Sequence, residues 1–180
     1  MIGDSIGEYL ENYSVTFRAA LKEVAWPQLE RAYHCMRIAD RIFVCGNGGS
    51  AAIANHLETD FSKAGVKKIH SLSSNPSLLT MIGNDFGFEF TFEKQLEYQN
   101  INHNDLFIAI SSSGKSPNIV QALDYANKTG ARTVGLSGFD GGALGRAQIH
   151  LHVPSPNYGI VEDAHQTLMH VLTQWYIKHG

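Results

Sequence analysis

Apolar and polar positions follow two different rhythms along this chain. Tyr9, Tyr13, Phe17 and Leu21 recur every fourth residue and so share one face of a predicted helix. Trp26-Pro27 marks a break, and Pro27 suits the first turn of a second helix running to about residue 39. From residue 41 the rhythm changes. Residues 41–45 form a short apolar run that ends in Gly46-Asn47-Gly48-Gly49-Ser50. A helix is predicted over 51–63 and a strand over 67–72. Segments 76–83 and 88–98 read as helices, with Gly83-Asn84-Asp85 as the turn between them. Residues 106–110 are apolar at every position, the pattern of a strand buried on both faces. A helix over 117–129 stops at Gly130, which suits a helix C-terminus. A strand over 133–136, a short helix over 142–147, a strand over 149–153 and a helix over 161–178 complete the pattern.

Strands alternating with helices predict an α/β fold: a parallel sheet covered on both faces by helices. A length of 180 residues suits one domain spanning 1–180, with 1–40 as a helical N-terminal arm and 41–180 as the α/β core. The aromatic stripe of the arm either packs on the core or joins two subunits. At 43% hydrophobic and 17% charged residues, wholesale disorder is excluded. A net charge of −3 argues against nucleic-acid binding through bulk charge. No run approaches the roughly 18 apolar residues of a membrane span, and Met1–Ser5 lacks the basic and apolar blocks of a secretory signal. Cys35 and Cys45 belong to no C-x-x-C pair, so a reduced, cytoplasmic setting is expected.

In parallel sheets of this kind ligands bind beyond the carboxyl ends of the strands. Two glycine-bearing polar loops fall there. After the third strand comes Ser111-Ser112-Ser113-Gly114-Lys115-Ser116-Pro117, with Ser116 placed to cap the next helix and Pro117 as its first residue. Hydroxyls and free amides at a helix N-terminus make an anion site, and a phosphate monoester needs several such donors. Gly114-Lys115-Ser116 is not a nucleotide P-loop, because the required upstream glycine is Ala109. The other loop fits a dinucleotide pattern from Gly46 to Ala51. The acidic residue that should hold a ribose is missing, since that place reads Ser71-Leu72-Ser73-Ser74. No nucleotide cofactor is expected; Asn47 and Ser50 remain as polar contacts to a ligand.

Four segments in order carry a family resemblance: Gly46–Ser50, Gly83–Gly87, Ile110–Ser116 and Gly138–Gly142. Together they resemble sugar isomerase (SIS) domain proteins and, within that group, the D-sedoheptulose 7-phosphate isomerases, or an isomerase-like side branch of them. The resemblance implies a three-layer αβα sandwich with a five-stranded parallel sheet. It also implies a cytoplasmic homotetramer with active sites between subunits, and in many members a zinc ion. The implied activity is aldose–ketose conversion of sedoheptulose 7-phosphate to D-glycero-D-manno-heptose 7-phosphate, toward nucleotide-activated heptose for lipopolysaccharide or capsule. Carried over by position, Ser111, Ser112, Ser113 and Ser116 hold the phosphate, and Asn47, Ser50 and Asp85 contact the sugar. The metal or acid–base set falls on His56, Asp60, Glu162 and His170. The family normally has glutamate at the position of Asp60 and glutamine at that of Glu162.

Elementary geometry bears on that set. His56 and Asp60 are i and i+4 and share a helix face, a spacing that suits one metal ion or an acid–base pair. Gln166 shares a face with His170 and with Glu162. Glu162 and His170 lie eight residues apart, roughly 12 Å of helical rise, so one ion takes both only if Glu162 sits at a bend before the helix. Pro154, Pro156 and Gly159 permit such a bend. The expected roles follow from enediolate chemistry: Asp60 as base, His170 as its acid–base complement (the two are interchangeable on sequence alone), and zinc on His56 and Glu162 polarising the carbonyl. His165 is the reserve candidate. A non-catalytic phosphosugar-binding or protein-interaction module is the competing expectation.

Overall fold

A computed structural model describes residues 5–180; residues 1–4, part of the opening segment read above, lie outside the described residues. Helices α1 (Ile6–Lys22) and α2 (Trp26–Ile38) form the arm. The core then alternates β1 (Ile42–Cys45), α3 (Gly49–Ala64), β2 (Ile69–Ser71), α4 (Pro76–Asp85), α5 (Glu93–Tyr98), β3 (Leu106–Ser111), α6 (Pro117–Lys128), β4 (Arg132–Ser137), β5 (Ile149–His152) and α7 (Tyr158–His179). Two 3₁₀ turns, Phe88–Phe90 and Gly142–Arg146, fill out the connections. The predicted helix over 88–98 is therefore broken at Thr91-Phe92. Both residues are buried there, and the Thr91 hydroxyl bonds back to the Phe88 carbonyl.

All five strands pair in parallel, in the order β2-β1-β3-β4-β5. Alternate side chains of each strand enter two separate cores, as strand geometry dictates. Ile42, Val44, Leu106, Ile108 and Ile110 pack with α2, α3 and α7. Phe43, Cys45, Phe107 and Ala109 face α5 and α6. The arm does not stand apart from the domain. Ala20, Val24, Leu29 and Met36 join the first core, and the Tyr13 hydroxyl donates to Asp163 of α7 at 2.7 Å. Burial and that carboxylate hold the Tyr13 phenol protonated, its pKa pushed up to about 12.

The strand order reverses direction at β1, so the loops leaving β1 and β3 splay to opposite faces and open a crevice between them. The glycine-rich turn and the serine loop therefore meet at one place, although more than sixty residues separate them in sequence.

His165 lies inside the first core region, wholly buried, and neither ring nitrogen has a hydrogen-bond partner. Burial, assisted by His152 and His150, holds its pKa down at about 4; the Ser137 backbone opposes this, but short of a well-aligned hydrogen bond. It is thus a neutral packing residue and not the reserve acid–base group. An unfolded chain protonates this histidine near 6.5, so the unfolded state binds the extra proton between that value and about 4. Stability is complete above pH 6.5 and is lost as pH falls through this window, by on the order of 3 kcal/mol. Urea unfolding at pH 7 and pH 4.5 should show this loss in the wild type and a clearly smaller one in His165→Leu. Equal losses would contradict the assignment.

Candidate active site

The serine loop closes β3 and opens α6. Its Ser111 and Ser112 side chains are buried and Ser113 is half-buried. Ser116 occupies the N-cap position of α6, yet its hydroxyl lies 3.2 Å from that of Ser111 and makes no capping bond. Ser116 stands at the expected cap position, but its hydroxyl does not do the capping: the Ile119 amide bonds the Asn118 side chain at 3.0 Å instead, and the Asn118 amide faces the crevice end of α6. On the other side of the crevice Gly48 precedes α3 and offers no side chain to cap it. Two helix N-termini whose N-cap residues make no side-chain capping bond thus border one cavity of about 240 Å³, lined by Asn47, Gly48, Gly49, Ser50, Ile110, Ser111, Ser112, Ser113, Ser116, Tyr158 and Glu162. Partial positive charge at both termini and hydroxyls on the wall make it an anion site.

The cup is held in shape from behind. Gly114 has φ +66°, and a Cβ there would run into the Gly141 carbonyl. The Ala143 amide donates to the Gly114 carbonyl at 2.8 Å, and the Gly138 amide to the Ser112 carbonyl at 2.8 Å. The Gly138–Gly142 segment is therefore a buttress for the serine loop. Lys115 and Asp140 add an exposed ion pair at 2.7 Å, and the ammonium holds the Asp140 carboxyl below its usual range. Asn47 and Asn118 exchange two side-chain amide bonds of 2.8 and 3.0 Å, and Asn118 also donates to Thr91 at 3.2 Å. Asn118 escaped the sequence reading. Its signal was an amide two residues after the cap position, on the side of α6 that enters the core.

The second group lies further along two neighbouring helices. His56 and Asp60 of α3 and His170 of α7 offer ligand atoms that all fall within 4.8 Å of one another. The His56 and His170 Nε2 atoms are 3.1 Å apart, and His56 Nε2 is 3.4 Å from Asp60 Oδ2. Gln166 brings its side-chain amide to 2.9 Å from His170 Nε2. Two imidazoles and a carboxylate at such separations match the nitrogen and oxygen donors that zinc takes.

Two expected residues fall elsewhere. Helix α7 begins at Tyr158, capped by the Asn157 side chain on the Ile160 amide, so Glu162 lies within the helix and not at a bend before it. Its carboxyl packs against Gly49, where a Cβ would collide with it, and it lines the anion cavity; it is not in the His56–Asp60–His170 group. Asp85 ends α4, exposed, accepting from the Asn84 side chain at 2.8 Å, and does not line the cavity of this chain.

The comparisons with known proteins agree with this geometry. A family profile for the SIS domain matches residues 4–138. A phosphoheptose isomerase of Campylobacter jejuni is 39% identical over 146 residues, covering 78% of each chain. One from Trichlorobacter lovleyi is 34% identical over 177 residues, covering 93% of this chain and 89% of that one. Among solved structures, a phosphoheptose isomerase from Francisella tularensis superposes with a TM-score of 0.87 at 27% identity, over 97% of both chains. That of Neisseria gonorrhoeae gives 0.86 at 28% identity, over 94% and 96%. Sequence, fold and loop placement agree: the chain belongs to the SIS domain family, beside the proteins named phosphoheptose isomerase.

Proposed function

We propose that the protein is a phosphosugar isomerase converting sedoheptulose 7-phosphate to D-glycero-D-manno-heptose 7-phosphate. One observation carries the reading: the starts of α3 and α7 wall the cavity that the serine loop closes, and the histidine–carboxylate group lies further along the same two helices. Seven residues of α3 separate Gly49 from His56, and eight of α7 separate Glu162 from His170. At 1.5 Å per residue these are rises of roughly 10 and 12 Å. An extended heptose phosphate spans roughly 10 Å from phosphorus to C1, given carbon–carbon bonds near 1.5 Å. A tail held in the cup brings C1 and C2 to the histidines.

The division of labour follows. Ser111, Ser112, Ser113, Ser116 and the start of α6 bind the phosphate, the buried Ser112 hydroxyl having no other partner among the described residues, while Asn47 and Ser50 shape the side that α3 contributes. Aldose–ketose exchange needs a base to remove the proton beside the carbonyl and an acid to serve the oxygens. Asp60 and His170 supply these roles. His56, Asp60 and His170 fit a zinc ion by donor type and separation, and such an ion when bound stabilises negative charge on the substrate oxygens. We assign the active form as a homotetramer in the cytoplasm. Exposed Ile6, Leu10, Trp26, Val171 and Trp175 support assembly, and an apolar groove of about 370 Å³ lies between α2 and α7.

Incubation with sedoheptulose 7-phosphate in deuterated water, followed by NMR, tests the function. Aldose product carrying deuterium at the exchanged carbon is expected. Asp60→Ala and His170→Ala should each lower kcat by at least about a hundredfold, while inorganic phosphate still protects the chain against thermal unfolding. Ligand-induced stabilisation of the wild type with no product would replace the enzyme by a binding module. Ser113→Ala should instead raise KM roughly tenfold and leave kcat nearly unchanged, because it removes one hydrogen bond to a charged group that persists through the reaction. A fall in kcat alone would place the phosphate elsewhere. Light scattering should give four times the mass of one chain, and a monomer that turns over substrate would remove the assembly from the assignment.

A further inference from the structure

We propose that Tyr158 is a specificity-determining residue: with Phe139 it forms an aromatic partition between two adjoining cavities, and that partition confines the anion site to phosphate monoesters. The proposal rests on reading the serine cavity as the site of the substrate's phosphate.

Two cavities meet at Ser113. One is the anion cavity of about 240 Å³, which Ser113 and Tyr158 both line. The other, of about 490 Å³, is lined by Ser113, Lys115, Phe139 and Asp140 together with the turn at Pro154 and Pro156. Tyr158 borders the first space and Phe139 the second, and their rings touch, with centroids 4.7 Å apart and planes inclined by 57°. The ring pair therefore stands between the two spaces. Tyr158 is also one turn before Glu162, so a single face of α7 presents both residues to the anion cavity.

The backbone holds Phe139 in this place against its preference. Phe139 follows Gly138 in a turn closed by the Gly141 amide on the Gly138 carbonyl at 2.8 Å, and its φ is +50°. A positive φ at that position of a turn ordinarily takes glycine, asparagine or aspartate, and a bulky ring is strained there. Two neighbours fix the conformation. The Phe139 amide donates to the Ser155 carbonyl at 3.0 Å, and His152 Nε2 donates to the Phe139 carbonyl at 3.0 Å. Strain that the surroundings maintain points to a use for the side chain, and here it delivers a ring to the edge of the phosphate cavity. The use follows from charge and size. A monoester places one phosphoryl group in the cup and continues as a neutral polyol, which passes Glu162 at no electrostatic cost. A diphosphate carries a second anionic group. Along α7 that group meets the Glu162 carboxylate, which repels it. Toward the second cavity it meets two apolar ring faces, which cannot replace its water. Only beyond them does the Lys115 ammonium, 2.7 Å from Asp140, offer it a counter-charge.

Affinities for inorganic phosphate and for pyrophosphate, measured by calorimetry on the full chain, read the partition without reference to turnover. The wild type should bind phosphate at least about tenfold more tightly than pyrophosphate. Tyr158 is exposed, so the fold tolerates its truncation. Tyr158→Ala should bring the two affinities within about threefold of each other, chiefly by tightening pyrophosphate, and adding Lys115→Ala should remove that gain. Tyr158→Phe should keep the wild-type preference, because the partition needs the ring and not the hydroxyl. Phe139→Asn, which suits the left-handed backbone, should shift the preference in the same direction as Tyr158→Ala. Equal affinities in the wild type would overturn the proposal, as would an unchanged preference in Tyr158→Ala, or a Tyr158→Phe protein that behaves like Tyr158→Ala. A pyrophosphate gain that survives Lys115→Ala would overturn it too, by placing the second phosphoryl group outside the neighbouring cavity. None of these results touches the isomerase reading, which turnover of sedoheptulose 7-phosphate decides separately. The expected preferences without turnover would reject the isomerase and leave the partition standing. A wild type that binds neither anion would overturn the partition together with the cup.

Discussion

The parallel packing of α3 against α7 is the contact on which the rest of the site depends. Ile53, Ala54, Leu57 and Phe61 meet Val161, Leu168, Met169, Leu172 and Tyr176 in one core, with the Phe61 and Tyr176 rings 5.1 Å apart. Each large side chain buried this way contributes roughly 1.5–3 kcal/mol. The polar contacts between the same helices are part-exposed, and such pairs contribute about 1 kcal/mol or less. Apolar packing therefore fixes the register, and the register then sets Glu162 beside Gly49 and His170 beside His56. The histidines and carboxylates are placed by the core and do not have to hold it together. They are free to be chosen for chemistry.

A second constraint acts on the cup. The serine loop must bend back at Gly114 and touch the Gly141-Gly142 backbone, which leaves no room for side chains between the two loops. That contact aims the loop amides at the crevice. The Asn47–Asn118 amide pair performs the matching task across the crevice, tying the β1 turn to the start of α6. Asn118 is fully buried, and its side chain also meets the Thr91 hydroxyl and caps the Ile119 amide. Buried polar groups satisfied this completely hold one geometry, because any other leaves an amide unpaired at a cost of about 1–3 kcal/mol. Rigid cup and rigid helix pair together fix the distance between the cavity and the His56–Asp60–His170 group.

Much of this was legible in the chain. Strands such as 106–110 announce themselves because a buried parallel strand has no polar position to confuse the pattern. His56 and Asp60 were readable as a pair because four residues of helix always bring side chains together. The start of α7 was not. The pattern placed its start at 161, with Pro154, Pro156 and Gly159 permitting a bend before it, whereas the Asn157 side chain caps the helix and lets it begin at Tyr158. That shift of three residues decides the place of Glu162. Ser116 misled in a similar way, because a serine before Pro-Asn reads as a cap and only the fold shows its hydroxyl turned to Ser111. Asn118 and the contact between the serine loop and Gly141 depend on elements far apart in sequence, which no local pattern encodes.

Charge arithmetic orients the ligand within this frame. The N-termini of α3 and α6 each present roughly half a positive charge to the cavity. Glu162 places a carboxylate against the first residue of α3 and offsets that terminus, while among the described residues nothing anionic lines the α6 side of the cavity. A phosphate therefore gains most at the serines and α6, away from Glu162. The polyol of the proposed substrate would then pass the carboxylate, which repels an anion but accepts hydrogen bonds from hydroxyls. Beyond Glu162 the same helix leads directly to Gln166 and His170. In the proposed reading, one negative side chain at the mouth of the cup thus separates the tail of the substrate from its reacting end and gives the groove a single productive direction.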